Sequence, residues 1–374
     1  MKNILISTAL LVVANSSALA YDLIDLGANV EPKAINNYGV IVGSSNTELF
    51  PANAFRWTST SGLEVIDGTS ANAVNDDGLI AGNTVTGAFV LDGNKYRDWS
   101  GYGAFGVNQS GTVAGYEVGN NPYQPRSLPY NPATYDSNKW QAPDIAGLYS
   151  RGTRQGVYAD RFILNSINAY GVAVGYKYRY GLAGSAAILI DTNATINSSS
   201  DVTYLATPAG GKAADINNNN LVVGTTGSSS STTPVTYAQA YIFDSSANAV
   251  TILPLLDSGL RSSANDINEY NQVVGSSETL DGSTMVNHAV LWDQTAGTVD
   301  LNDSAAAGWV LTAATAINDN GDIVGYGNLN GVPHGFLLTN GTIAEPPLAQ
   351  TDTQATTAGS TQVTSNGKKG RRKK

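Results

Sequence analysis

The chain alternates short apolar runs with polar turns, and one nine-residue unit of this alternation recurs seven times. Each copy reads aliphatic, Asn, two variable residues, Gly or Asn, one variable residue, an aliphatic residue, a small or aliphatic residue, Gly. The asparagines are Asn36, Asn75, Asn108, Asn168, Asn217, Asn268 and Asn318, and Gly43, Gly82, Gly115, Gly175, Gly224, Gly275 and Gly325 follow seven residues later. The copies are spaced by 39, 33, 60, 49, 51 and 50 residues. A period in this range belongs to arrays of small β-units.

The third residue after each Asn is Gly39, Gly78, Gly111, Gly171, Asn220, Asn271 or Gly321. Gly and Asn enter the left-handed region at least cost, and the leading Asn can bond the backbone two residues on. The unit therefore predicts a tight hairpin ending in a left-handed residue. Pairs such as Ile41-Val42 and Val273-Val274 then open a strand apolar on both faces. A third strand follows at Asn53–Trp57, Gly87–Leu91, Gln239–Phe243, His288–Trp292 and His334–Leu338, and a fourth at Leu63–Ile66, Val250–Leu253 and Thr298–Leu301. A unit of four strands cannot bury its own faces and must stack on its neighbours. The expected fold is an all-β, seven-bladed β-propeller of four-stranded antiparallel blades. Its last repeat lacks a strong fourth strand, and the segment Tyr21–Gly27 is expected to supply it and close the ring.

Three regions are expected. Residues 1–20 read as a secretory signal peptide: Lys2, the apolar run Ile4–Val13, then Ala18-Leu19-Ala20. Residues 21–340 form the propeller. Residues 341–374 form a Thr/Ser-rich disordered tail with a basic end, Lys368-Lys369-Gly370-Arg371-Arg372-Lys373-Lys374. No later stretch is apolar enough to span a membrane, so a secreted or periplasmic, cell-envelope location is expected.

The repeat Ile-Asn-x-x-Gly-x-Val-Val-Gly followed by His-Ala-Phe-Leu-Trp resembles the extracellular HAF repeat of bacterial secreted proteins. Ile317–Gly325 with His334–Leu338, and Ile267–Gly275 with His288–Trp292, match it best. The resemblance covers residues 21–340 and extends to a gammaproteobacterial family of unknown function. It implies a secreted propeller-like protein and no established activity.

Composition narrows the chemistry. There is no cysteine, which removes thiol nucleophiles and thiolate metal sites. The two histidines, His288 and His334, share one repeat position with Asn53 and Gln239, which marks them as structural. The turns Asn318–Asp322 and Asn75–Gly78 have an oxygen-rich start but no Glu at the twelfth position of a calcium loop. No catalytic residue, metal site or cofactor is therefore assigned. Nucleic-acid motifs are absent, and the acidic body repels phosphate backbones.

Charge is uneven. Residues 126–179 carry seven basic and three acidic side chains, whereas the rest of 21–340 carries six against twenty-five. Ten of the 19 tyrosines fall between Tyr116 and Tyr180, beside the long insertions Tyr116–Arg126, Ala146–Asp160 and Tyr176–Gly184. A binding surface of Tyr116, Tyr123, Arg126, Tyr149, Arg151, Arg154, Tyr176, Tyr178 and Arg179 is expected on the face opposite the Asn turns, since Tyr and Arg are enriched in binding hot spots. The expected function is a non-catalytic binding module for an acidic glycan or acidic protein segment. An envelope glycan hydrolase or lyase, with carboxylates or Tyr/Arg near the axis, is the alternative. A structural scaffold is a third reading.

Overall fold

Every motif copy folds as the hairpin its residues demand. The computed structural model describes residues 21–47, 50–118, 130–136, 160–179, 185–193, 202–208, 210–227 and 236–341. The expected signal peptide and all but the first residue of the expected tail lie outside them.

The elements are strands grouped in antiparallel sheets. β1 is Asp22–Ala28. The first sheet is β2–β5 (Val30–Ile35, Ile41–Thr47, Phe50–Thr58, Gly62–Ile66), and the second is β6–β9 (Ser70–Val74, Ile80–Asn83, Gly87–Asp92, Lys95–Ser100). The third is β10–β12 (Tyr102–Val107, Thr112–Val118, Tyr130–Asp136), and the fourth is β13–β16 (Asp160–Ile167, Val172–Arg179, Ser185–Asp191, Thr203–Tyr204). The fifth is β17–β20 (Gly211–Ile216, Leu221–Thr226, Ala240–Asp244, Ala249–Ile252), and the sixth is β21–β24 (Ser262–Ile267, Val273–Asp281, Thr284–Asp293, Gly297–Asp300). The last contains β25–β27 (Trp309–Ile317, Ile323–Leu329, Val332–Thr339), in the order β1-β27-β26-β25.

The arrangement is an all-β propeller, but seven four-stranded blades is the wrong count. The four-stranded antiparallel blades number six, and the sheet β10–β12 has three strands among the described residues. The repeated Asn turn misled because it marks only the first hairpin of a unit, the part that β10 and β11 also form. It carries no information about the outer strand.

The N-terminal strand does complete the last blade. β1 pairs with β27 from Asp22↔Thr339 to Ala28↔His334. The apolar core lies between sheets rather than within them. Val42 and Ala54 of the first sheet pack on Ala71, Ile80 and Phe89 of the second. Val324 and Leu337 of the last pack on Ile35, Ile41 and Phe55 of the first, which joins the two ends of the array.

The third residue after each motif Asn is left-handed without exception, from φ 58° at Asn220 to φ 81° at Gly111 and Gly321. The leading Asn then does more than shape its own turn. Asn36 Oδ1 accepts from Tyr38 N at 3.1 Å and Val40 N at 2.9 Å, while its Nδ2 donates to the carbonyl of Asn75 at 2.9 Å. The same outward bond runs from Asn75 to Asn108 (3.0 Å), Asn108 to Asn168 (3.0 Å), Asn168 to Asn217 (3.2 Å), Asn217 to Asn268 (3.1 Å), Asn268 to Asn318 (3.1 Å) and Asn318 back to Asn36 (3.0 Å). The asparagines form a closed, buried hydrogen-bonded circle.

A bulge precedes each Asn. In every inner strand the register shifts across the third residue before it, as between Pro32 and Ala34 or Ala314 and Ala316. The bulge presses a carbonyl of the inner strand onto the motif's final Gly. A Cβ on Gly43 would strike the Glu31 oxygen, and one on Gly325 would strike the Ala313 oxygen.

Two outcomes check this description. Deleting 21–27 from a chain of residues 21–374 exposes the free edge of β27, and should lower the melting temperature and produce concentration-dependent aggregation. A monomer melting like the parent would contradict closure by β1. Gly321→Val should cost about 1–2 kcal/mol or more, because a β-branched side chain is forced to positive φ. Gly321→Asn should cost much less, since Asn220 and Asn271 already occupy that conformation. Thermal melting of the pair decides the point.

Candidate functional site

The inner strands β2, β6, β10, β13, β17, β21 and β25 line an axial channel with a cavity volume of ≈ 530 Å³. Because the bulge turns two consecutive residues of each strand toward the axis, the wall is built in tiers. The bulge residue itself often staples sheets together. Asn72 Nδ2 donates to Ala104 O at 2.7 Å, Asn165 to Ala213 O at 2.8 Å, Asn265 to Ala314 O at 2.7 Å, and Thr315 Oγ1 to Pro32 O at 2.8 Å. Phe105 and Lys33 hold the same position, with Lys33 Nζ donating to Ser70 Oγ at 2.9 Å.

The next tier breaks the pattern of the repeat. Ala34, Ala73, Gly106, Ser166 and Ala316 are small, but the fifth and sixth sheets place Asp215 and Asp266 there. Asp266 Oδ2 accepts from Ile317 N at 2.7 Å, and Asp215 Oδ2 accepts from Ile267 N at 3.1 Å. The two carboxyls also hydrogen-bond each other. Burial, then the charge and hydrogen bond of Asp215, raise the Asp266 carboxyl well above the ordinary carboxylate range, against the amide bonds that lower it. The arrangement favours the protonated form of the Asp266 carboxyl.

On the turn side of the Asn circle, the residue after the motif Asn reaches back to the preceding sheet in every copy except that of Ala169. Asn37 N donates to Asp76 Oδ1 at 2.9 Å, Asn218 N to Glu269 Oε1 at 3.1 Å, and Glu269 N to Asp319 Oδ1 at 2.9 Å. Burial, then Asp319 and Asp215, push the Glu269 carboxyl upward. Lys33 is the one cation among the lining residues, against Asp76, Asp215, Asp266, Glu269 and Asp319.

The opposite, loop-side end differs. Tyr116 and Tyr176 stand eight residues after their motif Asn, at register positions Gly103↔Tyr116 and Ile163↔Tyr176 near the start of the inner strands. Lys212 Nζ lies 4.5 Å from the Tyr176 ring centroid, and the Tyr116 ring lies 5.7 Å from Phe105. On the other face of the fourth sheet Lys177 Nζ sits 4.9 Å over Tyr204 and 3.3 Å from its hydroxyl.

Of the nine expected site residues, Tyr116 and Tyr176 are placed, on corresponding strands of neighbouring sheets. Tyr178 and Arg179 continue β14, but their side chains lie outside the description, and Tyr123, Arg126, Tyr149, Arg151 and Arg154 fall outside the described residues. Phe105, Lys212, Asp215 and Asp266 were not anticipated. The signal that finds them is departure from the repeat: a charged or aromatic residue where the other copies are small or amide. Each histidine bonds a carboxylate of the neighbouring strand, His288 Nδ1 to Asp300 Oδ2 at 2.7 Å and His334 Nδ1 to Asp25 Oδ1 at 2.8 Å, so both tie a third strand to a fourth. Among the described residues no group of three or more His, Cys, Asp or Glu could hold a metal ion, and no helix is long and apolar enough to cross a membrane.

The channel built on this repeat matches a known family over residues 99–329. The chain belongs to the DUF3466 family of proteins of unknown function. Curated proteins give no match to this family member. Solved structures show the same fold. An oligogalacturonate lyase from Vibrio parahaemolyticus is 9% identical with a TM-score of 0.56, covering 89% of this chain and 96% of its own. An oligogalacturonate lyase in complex with manganese is 10% identical with a TM-score of 0.50, covering 86% and 96%. A puromycin hydrolase is 12% identical with a TM-score of 0.49, and the match spans 53% of it.

One consequence concerns the raised Asp266 carboxyl. A carboxyl raised in the folded state favours the fold fully below its unfolded value of 3.8, and this contribution is lost as pH rises through the raised folded value. Asp266→Asn keeps an acceptor for Ile317 N and offers Asp215 a permanent donor. The variant's melting temperature should therefore fall less than the parent's from about pH 4 to pH 8. Parallel curves would show that Asp266 titrates as an ordinary carboxylate.

Proposed function

We propose that this member of the family is a secreted or envelope binding module, of the HAF-repeat type, that takes an acidic glycan at the loop-side mouth of its channel. The observation that carries the reading is the ammonium of exposed Lys212 over the half-buried Tyr176 ring. An aromatic face packs on the C–H face of a sugar, and an adjacent ammonium pairs with a uronate carboxylate. Tyr116 and Phe105, on the third sheet, add aromatic surface beside it. The oligogalacturonate lyases of similar fold act on an acidic glycan, the ligand class proposed here on the chemistry of Lys212 and Tyr176.

The hydrolase or lyase reading draws on Asp215 and Asp266. Glycoside hydrolysis needs carboxyls about 5–10 Å apart, whereas these two are in direct hydrogen bond and both accept main-chain amides. That geometry disfavours hydrolysis and leaves β-elimination as the catalytic alternative.

The test is calorimetric titration of oligogalacturonate into the mature chain. Lys212→Ala and Tyr176→Ala should each weaken binding about tenfold, roughly 1.4 kcal/mol, with little change in melting temperature. Binding should also weaken as salt rises. Absence of binding by the parent, or an affinity in both variants equal to the parent's, removes the proposal. Accumulation of an unsaturated, ultraviolet-absorbing product during the titration would instead favour the lyase.

A further inference from the structure

Two repeat positions meet across sheet boundaries at the loop-side mouth: the residue after the motif's final Gly, and the residue five before the motif Asn of the next sheet. Lys212 over Tyr176 is one such meeting. At the next boundary Thr225 Oγ1 lies 2.9 Å from Ser263 Oγ. The first position holds Tyr116, Tyr176 and Tyr326, where the other copies carry Ser, Asn or Thr. The second position is charged at Lys212 and Glu31, where the other copies carry Ser, Gly, Ile or Ala. These two charges are opposite, and each belongs to a boundary whose preceding sheet supplies a tyrosine.

Glu31 sits where β2 meets the last sheet. Gly335 stands opposite Tyr326 in the β26–β27 ladder, so both point to one face. A Cβ on Gly335 would lie 2.8 Å from the Val30 oxygen and 3.1 Å from Pro32 Cδ, the two chain neighbours of Glu31. Tyr326 therefore faces β2 at the level of Glu31. Its side chain is 38% exposed. Glu31 is exposed as well, with Ser44 Oγ 3.5 Å from its Oε2. Burial, then the Glu31 charge, raise the Tyr326 hydroxyl above the ordinary phenol range, which keeps it a hydrogen-bond donor. Between this pair and the pair of Lys212 and Tyr176 lie the fifth, sixth and last sheets in one direction, and the first to fourth in the other. The two pairs thus stand on opposite sides of the mouth.

We propose that Tyr326 and Glu31 form a second sugar subsite that takes an uncharged unit, so that the ligand is an acidic glycan with only part of its carboxylates free. The inference rests on the glycan reading above and narrows it. Tyr326 offers the C–H face of a sugar the same platform as Tyr176. The Glu31 carboxylate accepts from sugar hydroxyls and repels a free uronate, which Lys212 attracts on the other side of the mouth. A neutral sugar, or a uronate whose carboxyl is esterified, satisfies both pairs at once. A run of free uronates places like charges together at Glu31, and that penalty sets the specificity.

The experiment titrates a chain of residues 21–374 with two oligogalacturonates of one length, the first unesterified and the second with half of its carboxyls methyl-esterified. The readout is the ratio of the two affinities. Glu31→Gln keeps an acceptor and removes the charge. It should shift the ratio about threefold or more toward the unesterified glycan, by tightening that glycan, and the shift should shrink as salt rises. Tyr326→Ala should weaken binding of both glycans. Asp92→Asn removes a carboxylate from the hairpin between β8 and β9, on the turn-side rim, and should leave the ratio unchanged. An unchanged ratio in Glu31→Gln, an equal shift in Asp92→Asn, or undiminished affinity in Tyr326→Ala overturns the inference. Where Lys212→Ala still weakens binding in those cases, the glycan reading stands and the second subsite alone is lost. Absence of binding of either glycan by the parent overturns both.

Discussion

The buried circle of asparagine side chains is the constraint on which the rest of the molecule depends. Each Asn fills both halves of its amide. Its oxygen takes the orphan amides of its own turn, and its nitrogen takes the turn carbonyl of the next sheet. A buried polar group left without a partner costs about 1–3 kcal/mol, so removing any one Asn breaks two to four bonds and strands groups on two sheets. Aliphatic packing between sheets is tolerant of shape. The circle is not, because its bonds close only when Asn318 returns to Asn36. Packing therefore supplies most of the cohesion, and the circle sets the curvature at which it is realised.

That constraint explains why the inner hairpin was legible in the sequence and the outer edge was not. The left-handed Gly or Asn, the turn and the alternating strands follow from local sterics. The local half of the bonding, to the amide two residues on, follows too for Asn36, Asn168, Asn217, Asn268 and Asn318. Its donor half depends on a partner 33 to 60 residues away, or 282 for the bond that closes the circle, and has no local signature. The role of the final Gly was equally hidden, since it answers to a carbonyl thrust forward by a bulge in the preceding strand. The fourth strands were hardest to count. They pack on one side only, as the burial of Gly62–Ile66 shows, and a half-exposed edge tolerates many sequences. Counting hairpins as complete blades therefore overcounted the four-stranded ones.

The functional residues became visible by the opposite logic. In a repeat whose copies are held to one geometry, a residue that departs from its counterparts is not required by the fold. Asp215 and Asp266 stand where other copies carry Ala, Gly or Ser, and Lys212 stands where they carry Glu, Ser, Gly, Ile or Ala. The expectation built on local charge and tyrosine density led to Tyr116 and Tyr176 but overlooked these inner-strand residues. Composition averages over a segment, whereas a site is assembled across sheets. Lys212 and Tyr176 are 36 residues apart in the chain and in contact across an inter-sheet boundary.

The two mouths of the channel are unequal for the same reason. On the turn side the backbone is fixed by the Asn circle, so variation is confined to side chains beside it, and acceptors are favoured there because all but Ala169 receive an amide of the preceding turn. Asn, Asp, Gln and Glu all serve, but each carboxylate chosen adds a charge. Three of the seven positions carry one, Asp76, Glu269 and Asp319. An acidic mouth is thus a by-product of hydrogen-bonding demand. On the loop side no circle restrains the backbone, and the described chain places Lys212 against Tyr176 and Phe105 beside Tyr116 there. A single ring can then present different side-chain chemistry at its two ends without any change in the repeat that builds it.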